Sequence, residues 1–145
     1  LVAGKVADYG QATLWHLNDT PRTTLVIESA DRKTAIKLFD IVYHSLDIQP
    51  GEDEPMMNVL GMYEAGKWIV FIFPRAKHRP ACYTAEGDAN LLSSPASVDL
   101  GGGFNTPGEK DFIKITAEDI AQILGEVCLS PTDFQKVRQR IKEQI

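Results

Sequence analysis

The sequence predicts an α+β domain, an antiparallel sheet with one helix packed on it and two further helices at the C-terminus. Three observations carry this expectation. Lys67-Trp-Ile-Val-Phe-Ile-Phe73 is strand-length, β-branched and aromatic, and Glu64-Ala-Gly66 joins it to a second apolar run, Met57–Tyr63, as a hairpin would. From Asp31 to Leu46 the period becomes helical, with Ala35, Phe39, Val42 and Leu46 at spacings of 4, 3 and 4. Two capped helical patterns close the chain after a long irregular segment.

The elements follow in order from local chemistry. Residues 1–11 are small and polar, carry Gly4 and Gly10 and show no period, so they are expected to be a flexible lead-in to a single domain over 12–145. Ala12–Leu17 alternates weakly and reads as a short strand, and Asn18-Asp-Thr-Pro21 is turn chemistry. Thr23–Glu28 is β-branched and reads as a second strand. The helix from Asp31, capped by Ser29 or Asp31, ends before Pro50-Gly51. An acidic loop, 52–55, precedes the hairpin. Both hairpin arms are apolar on both faces, which predicts central strands covered on each side, and the Gly66-containing connection predicts a bulge.

Residues 76–111 are rich in Pro and Gly, and Ala96–Leu100 reads as their one strand. Thr116-Ala-Glu-Asp119 has the form of a capping box and opens a helix that runs to about Leu129. Ser130 before Pro131 starts the last helix, where Phe134, Val137, Ile141 and Ile145 form an apolar stripe at spacings of 3, 4 and 4. Lys136, Arg138, Arg140 and Lys142 lie mainly on its other face.

Composition excludes several classes. The chain has 145 residues, 43% hydrophobic, enough for one core and too apolar for disorder. A net charge of −5 argues against nucleic acid as a partner, and no apolar run nears the ~18 residues of a membrane span. Two cysteines, Cys82 and Cys128, supply neither a disulfide framework nor a four-ligand zinc site, which points to a reducing, cytoplasmic compartment. His16, His44 and His78 lack metal-ligand spacing, so neither metal nor cofactor is expected. Ser93 and Ser94 lie outside any G-x-S-x-G elbow, so no catalytic residue is assigned. Leu1 is not an initiator Met, and the chain reads as a piece of something longer.

One cluster stands out from this acidic background. Arg75-Ala-Lys-His-Arg79 places three fixed positive charges and one titratable group directly after the apolar strand. Arg75, Lys77, His78 and Arg79 are therefore the candidate ligand-binding residues, because Arg offers a planar fork to phosphate and Lys a mobile point charge. A solvated loop explains the same charges equally well. Gly101-Gly-Gly103 reads either as a phosphate nest or as a flexible turn.

The segment order carries a resemblance. Thr23–Ile27, an amphipathic helix, Asn58 with its strand, Gly66, and a strand ending Pro74-Arg75 resemble the half-fold of the histidine-triad (HIT) superfamily. That resemblance implies a strand bearing His-x-His-x-His or His-x-His-x-Gln, whose middle His attacks the α-phosphate of a nucleotide. Imidazole suits that role as nucleophile and leaving group. Counted back from Pro74-Arg75, the triad positions fall on Lys67, Ile69 and Phe71, none of which is His. Leu124–Ser130, then Phe134 and Val137, is similar to the C-terminal part of the GDP-hexose phosphorylases. These group with diadenosine tetraphosphate phosphorylase and galactose-1-phosphate uridylyltransferase, enzymes of two HIT-like halves with the catalytic His in the first.

The resemblance implies a catalytically degenerate C-terminal half of a nucleotide phosphorylase or nucleotidyltransferase. Its partners would be a nucleotide or nucleotide-sugar ligand and the N-terminal half of the same protein, with a homodimer as a further option. The alternative is a non-catalytic interaction module that retains the half-fold, with the apolar stripe of its last helix as a partner surface, although packing against its own core is the plainer account of that stripe.

Overall fold

Residues 3–145 of the chain are described by a computed structural model. The strands β1 (Ala3–Tyr9), β2 (Ala12–Leu17), β3 (Leu25–Ser29), β4 (Met57–Glu64) and β5 (Lys67–Pro74) form one antiparallel sheet in the order β1-β2-β3-β5-β4. The helix α1 (Arg32–Ser45) connects β3 to β4. Two single 3-10 turns, Ala81–Tyr83 and Gly87–Ala89, lead to the short helices α2 (Ser97–Leu100) and α3 (Glu109–Lys114). Then come α4 (Ala117–Val127) and α5 (Pro131–Gln144).

The pleat of the sheet sorts its side chains into two cores. Leu14, Leu25, Ile27 and Ile72 face α1 and α5, where Leu38, Val42, Val137 and Ile141 close the larger core. Phe71 and Phe73, on the other face of β5, pack with Leu100, Leu124 and Val127 under α2 and α4. Residues that alternate along one strand thus serve two separate layers. This explains why β5 is apolar on both faces.

Most helix boundaries lie where the capping residues put them. Asp31 caps α1 by accepting from Thr34 N at 2.8 Å. Thr116 and Asp119 form a reciprocal box at the start of α4, at 3.1 and 2.9 Å. Ser130 Oγ accepts from Asp133 N at 3.1 Å, with Pro131 opening α5. The apolar stripe of α5 is spent on its own core, since Phe134, Val137 and Ile141 are all buried there. Of the two readings of that stripe, packing against its own core is the one the structure shows, and its use as a partner surface falls away.

Four further expectations are also corrected. Residues 3–9 are not a flexible lead-in but strand β1, with Ala3↔Leu17 through Tyr9↔Ala12 in register; Leu1 and Val2 lie outside the described residues. An edge strand that buries little beyond Val6 leaves almost no pattern in its sequence. The hairpin turn is two residues long, because Glu64 pairs with Lys67, and no bulge interrupts the register. Ala65 (φ 49°) and Gly66 (φ 78°) are both left-handed, as such a tight turn demands. Of the two arms only β5 is central: β4 is an edge, with Val59, Met62 and Tyr63 exposed. Residues 97–100 form α2 instead of a strand, tied by the buried Asp99, which accepts from Ala96 N at 2.9 Å and Asn105 N at 2.8 Å.

Candidate functional site

The basic segment begins where β5 ends. Arg75 N donates to Met56 O at 2.9 Å and the residue bridges Cys128, so Arg75 continues the sheet by one step and is buried. Its guanidinium has five N–H donors, and all are used. Nη1 donates to Asn58 Oδ1 at 2.6 Å and Pro95 O at 2.5 Å. Nη2 donates to His78 O at 2.6 Å and Lys77 O at 3.2 Å, and Nε also reaches Lys77 O at 3.2 Å. Burial lowers its pKa, with the Asp99 charge among the forces acting the other way. Arg75 therefore has no donor left for a ligand. It fastens three loop carbonyls to the strand end.

The three remaining candidates leave that anchor in different directions. Lys77 Nζ is ion-paired with Glu126 on α4, whose Oε1 also accepts from Ala81 N at 2.9 Å. That lysine bond holds the Glu126 carboxyl below its usual range, against a smaller opposing effect of burial. His78 is exposed, with Nε2 3.6 Å from Glu52. Arg79 lies over the Tyr83 ring, its Cζ 4.2 Å from the centroid. Lys77, His78 and Arg79 thus line one stretch of loop without converging on a point.

Beside this loop is a cavity of about 350 Å³ lined by Ala81, Cys82, Leu91, Asp88, Asp119, Glu126 and Lys114 among others. Its carboxylates outnumber its lysine, which disfavours an anion inside it. Burial raises the Cys82 thiol, so it is a poor thiolate nucleophile. The glycine run offers no phosphate nest, because Gly101, Gly102 and Gly103 N donate to Ser97, Asp99 and Val98 carbonyls at 2.8, 3.1 and 3.0 Å. A Cβ on Gly101 would lie 2.7 Å from Leu60 Cδ1, so close packing against β4 accounts for that glycine.

The strand pattern decides what faces the open side of the sheet. Val70 and Ile72 pack toward α1, so Lys67, Ile69 and Phe71 share the opposite face. Lys67 is paired there with Glu28 at 2.8 Å, and Phe71 joins the second core.

The model of the GDPGP1-like, C-terminal domain family matches residues 5–145. The chain belongs to that family. The match covers β1 through α5 and thus the whole sheet, both cores and the Arg75 anchor. No curated protein matches the chain. No solved structure matches it. The family's description agrees with the resemblance read from Leu124–Ser130 and the strand order.

For this GDPGP1-like C-terminal domain, sequence reasoning found the cations but missed their partners. Asn58, Glu126 and the Pro95 carbonyl decide where Arg75 and Lys77 point, and each lies at least 17 residues away in the chain. Asn58 alone left a signal, as a polar residue within an apolar strand. Among the described residues, no three His, Cys, Asp or Glu side chains gather as a metal site, and no helix is long and apolar enough to cross a membrane.

Proposed function

We propose that this chain is the C-terminal half of a nucleotide phosphorylase or nucleotidyltransferase acting on a sugar nucleotide or a dinucleoside polyphosphate. The observation that carries the reading is the family match over residues 5–145. The nucleophilic His lies outside the chain, because the strand that resembles the triad strand bears Lys67, Ile69 and Phe71. Hydrocarbon at two of these positions cannot take up a nucleotidyl group. Lys77 and Arg79 offer charged donors to a phosphate-bearing substrate, with the His78 ring beside them, and Arg75 fixes the Lys77 and His78 backbone through the carbonyls it holds. Cations so placed stabilise the charge that gathers on phosphoryl oxygens during displacement. The working protein is cytoplasmic, needs no cofactor, and pairs this half with an N-terminal half of the same protein, with a homodimer as a further assembly.

The test is an add-back assay. Residues 1–145, given a GDP-hexose or diadenosine tetraphosphate with inorganic phosphate, are expected to release no nucleotide product. Mixed or co-expressed with the N-terminal domain of a GDPGP1-like protein, they support phosphate-dependent release. Lys77→Ala with Arg79→Ala weakens substrate binding in that assembly by about 1–3 kcal/mol for each charge-assisted hydrogen bond removed. Release by residues 1–145 alone refutes the placement of the nucleophile elsewhere.

A second reading, a non-catalytic interaction module, is favoured by exposed apolar side chains. Met62, Tyr63 and Trp68 lie near the hairpin end of the sheet, Val59 is exposed further along β4, and Phe112 and Ile113 stand out from α3. On this reading the two-domain assembly forms but takes up no nucleotide in a calorimetric titration.

A further inference from the structure

The connection between β2 and β3 lies against the α4–α5 junction and leaves a cavity of about 460 Å³ between them. Arg22 enters its lining from the connection and Arg138 from α5, with Thr20, His16 and Gln135 beside them. The Nε of Arg22 and the Nε of Arg138 are both buried, and neither has a hydrogen-bond partner among the described residues. Neither arginine forms an ion pair among those residues. Asp19 is the one carboxylate in the lining.

Two other arginines behave differently. Arg75 uses all its donors internally, and Arg140 forms a fork with Asp47 at 2.7 and 2.9 Å. In a chain of net charge −5 the cavity holds a single carboxylate, Asp19, and it pairs with neither Arg22 nor Arg138 among the described residues. Both of these side chains are only partly buried, and their Nη groups donate to no described residue, which leaves those donors for an anion in the cavity. Arg138 lies over the Phe134 ring, its Cζ 5.2 Å from the centroid, which limits the directions its guanidinium can take. The paired Nη groups of an Arg fork match two oxygens of a tetrahedral anion, and the Gln135 amide adds a neutral donor, whereas the Thr20 hydroxyl already donates to Arg22 O.

We propose that this cavity binds a phosphate group through the Arg22 and Arg138 forks. The ligand is either inorganic phosphate or the phosphoryl end of a small monoester. The site shares no residue with the loop from Arg75 to Arg79, so it stands whether or not the phosphorylase reading does.

The test is an NMR titration of residues 1–145 labelled with nitrogen-15, following the arginine Nε–Hε signals. Potassium phosphate and glycerol 3-phosphate are added in parallel, with potassium chloride at matched ionic strength as control. Saturable shifts of the Arg22 and Arg138 signals are expected in the millimolar range or tighter. Arg22→Gln and Arg138→Gln each weaken binding by about tenfold or more, while Arg140→Gln leaves it unchanged. Arg138→Lys, which keeps the charge and loses the fork, also weakens it and serves if Arg138→Gln does not fold. Tighter binding of the monoester identifies an organic phosphate as the ligand, and equal binding identifies the free ion. Shifts that chloride reproduces, or saturable binding that survives both Gln substitutions, overturn the proposal.

Discussion

Arg75 donates to the side chain of Asn58 on the adjacent strand at 2.6 Å, and Asn58 in turn donates to Ser97 Oγ at 3.2 Å. This chain of bonds joins the central strand, the edge strand and the first residue of α2. A guanidinium that sequence reasoning assigns to a ligand is instead the clamp of the loop from 76 to 96.

Removing that clamp leaves the Pro95 and His78 carbonyls without their charged donor. Arg75→Ala is expected to destabilise the chain by about 2–4 kcal/mol in chemical denaturation. Arg75→Lys restores little, because an ammonium lacks the fork that reaches four acceptors. A stability within error of the parent removes the anchoring role.

The two faces of β5 make a second prediction. Ile72 is fully buried between β3, β4 and α1, so Ile72→Ala costs about 2–5 kcal/mol. Ile69 is only half-buried on the opposite face, and Ile69→Ala costs less than about half as much. Equal losses would place both residues in one core.

The hairpin turn stores relievable strain at Ala65, whose φ is 49°. Ala65→Asn creates the Asn-Gly pair this turn prefers and raises stability by about 0.5–1 kcal/mol. Gly66→Ala acts in the opposite direction, since Gly66 has φ 78°. Thermal unfolding of both variants reads the two signs.

Acid sensitivity follows from the Asp47–Arg140 fork. The hydrogen bond from Arg140 holds the Asp47 carboxyl below its ordinary value, with burial opposing. Its contribution is therefore complete above the ordinary carboxylate pKa of about 4 and is lost as pH falls through the lower folded value. Asp31, Asp119, Asp133 and Glu126 shift in the same direction. Asp47→Asn flattens the loss of stability measured by denaturation as pH is lowered from about 5 to 2.

His16 gives an opposite case among the bases. Burial first, and then the charges of Arg138 and Lys142, keep its pKa below the ordinary value. The unfolded chain binds more protons below about pH 6.5, so stability declines as pH falls through that range. Arg138→Gln raises the His16 pKa part of the way back, which a proton NMR titration of its ring measures.

Much of the fold was legible because it rests on short-range chemistry. The cap residues Asp31, Thr116 and Ser130 act within three residues, and the 3.6-residue period of α1 needs no partner to be seen. The edge strand β1 and helix α2 were not legible. The first is held by backbone pairing to β2, and the second depends on the carboxylate of Asp99 binding Ala96 N and Asn105 N. Backbone pairing is nearly blind to side-chain identity, so it leaves little trace in composition.

The sequence by itself determined that this chain is α+β, where most of its helices start, and that Lys67, Ile69 and Phe71 carry no imidazole. Only the tertiary structure decided that β4 lies at the edge of the sheet while β5 lies inside it as its apolar faces predict, that Arg75 turns inward, and that Arg22 and Arg138 line one cavity. Periods and caps are set by neighbours along the chain. The direction of a guanidinium is set by acceptors that folding brings from elsewhere, and those acceptors, or their absence, decide which cations remain free for an anion.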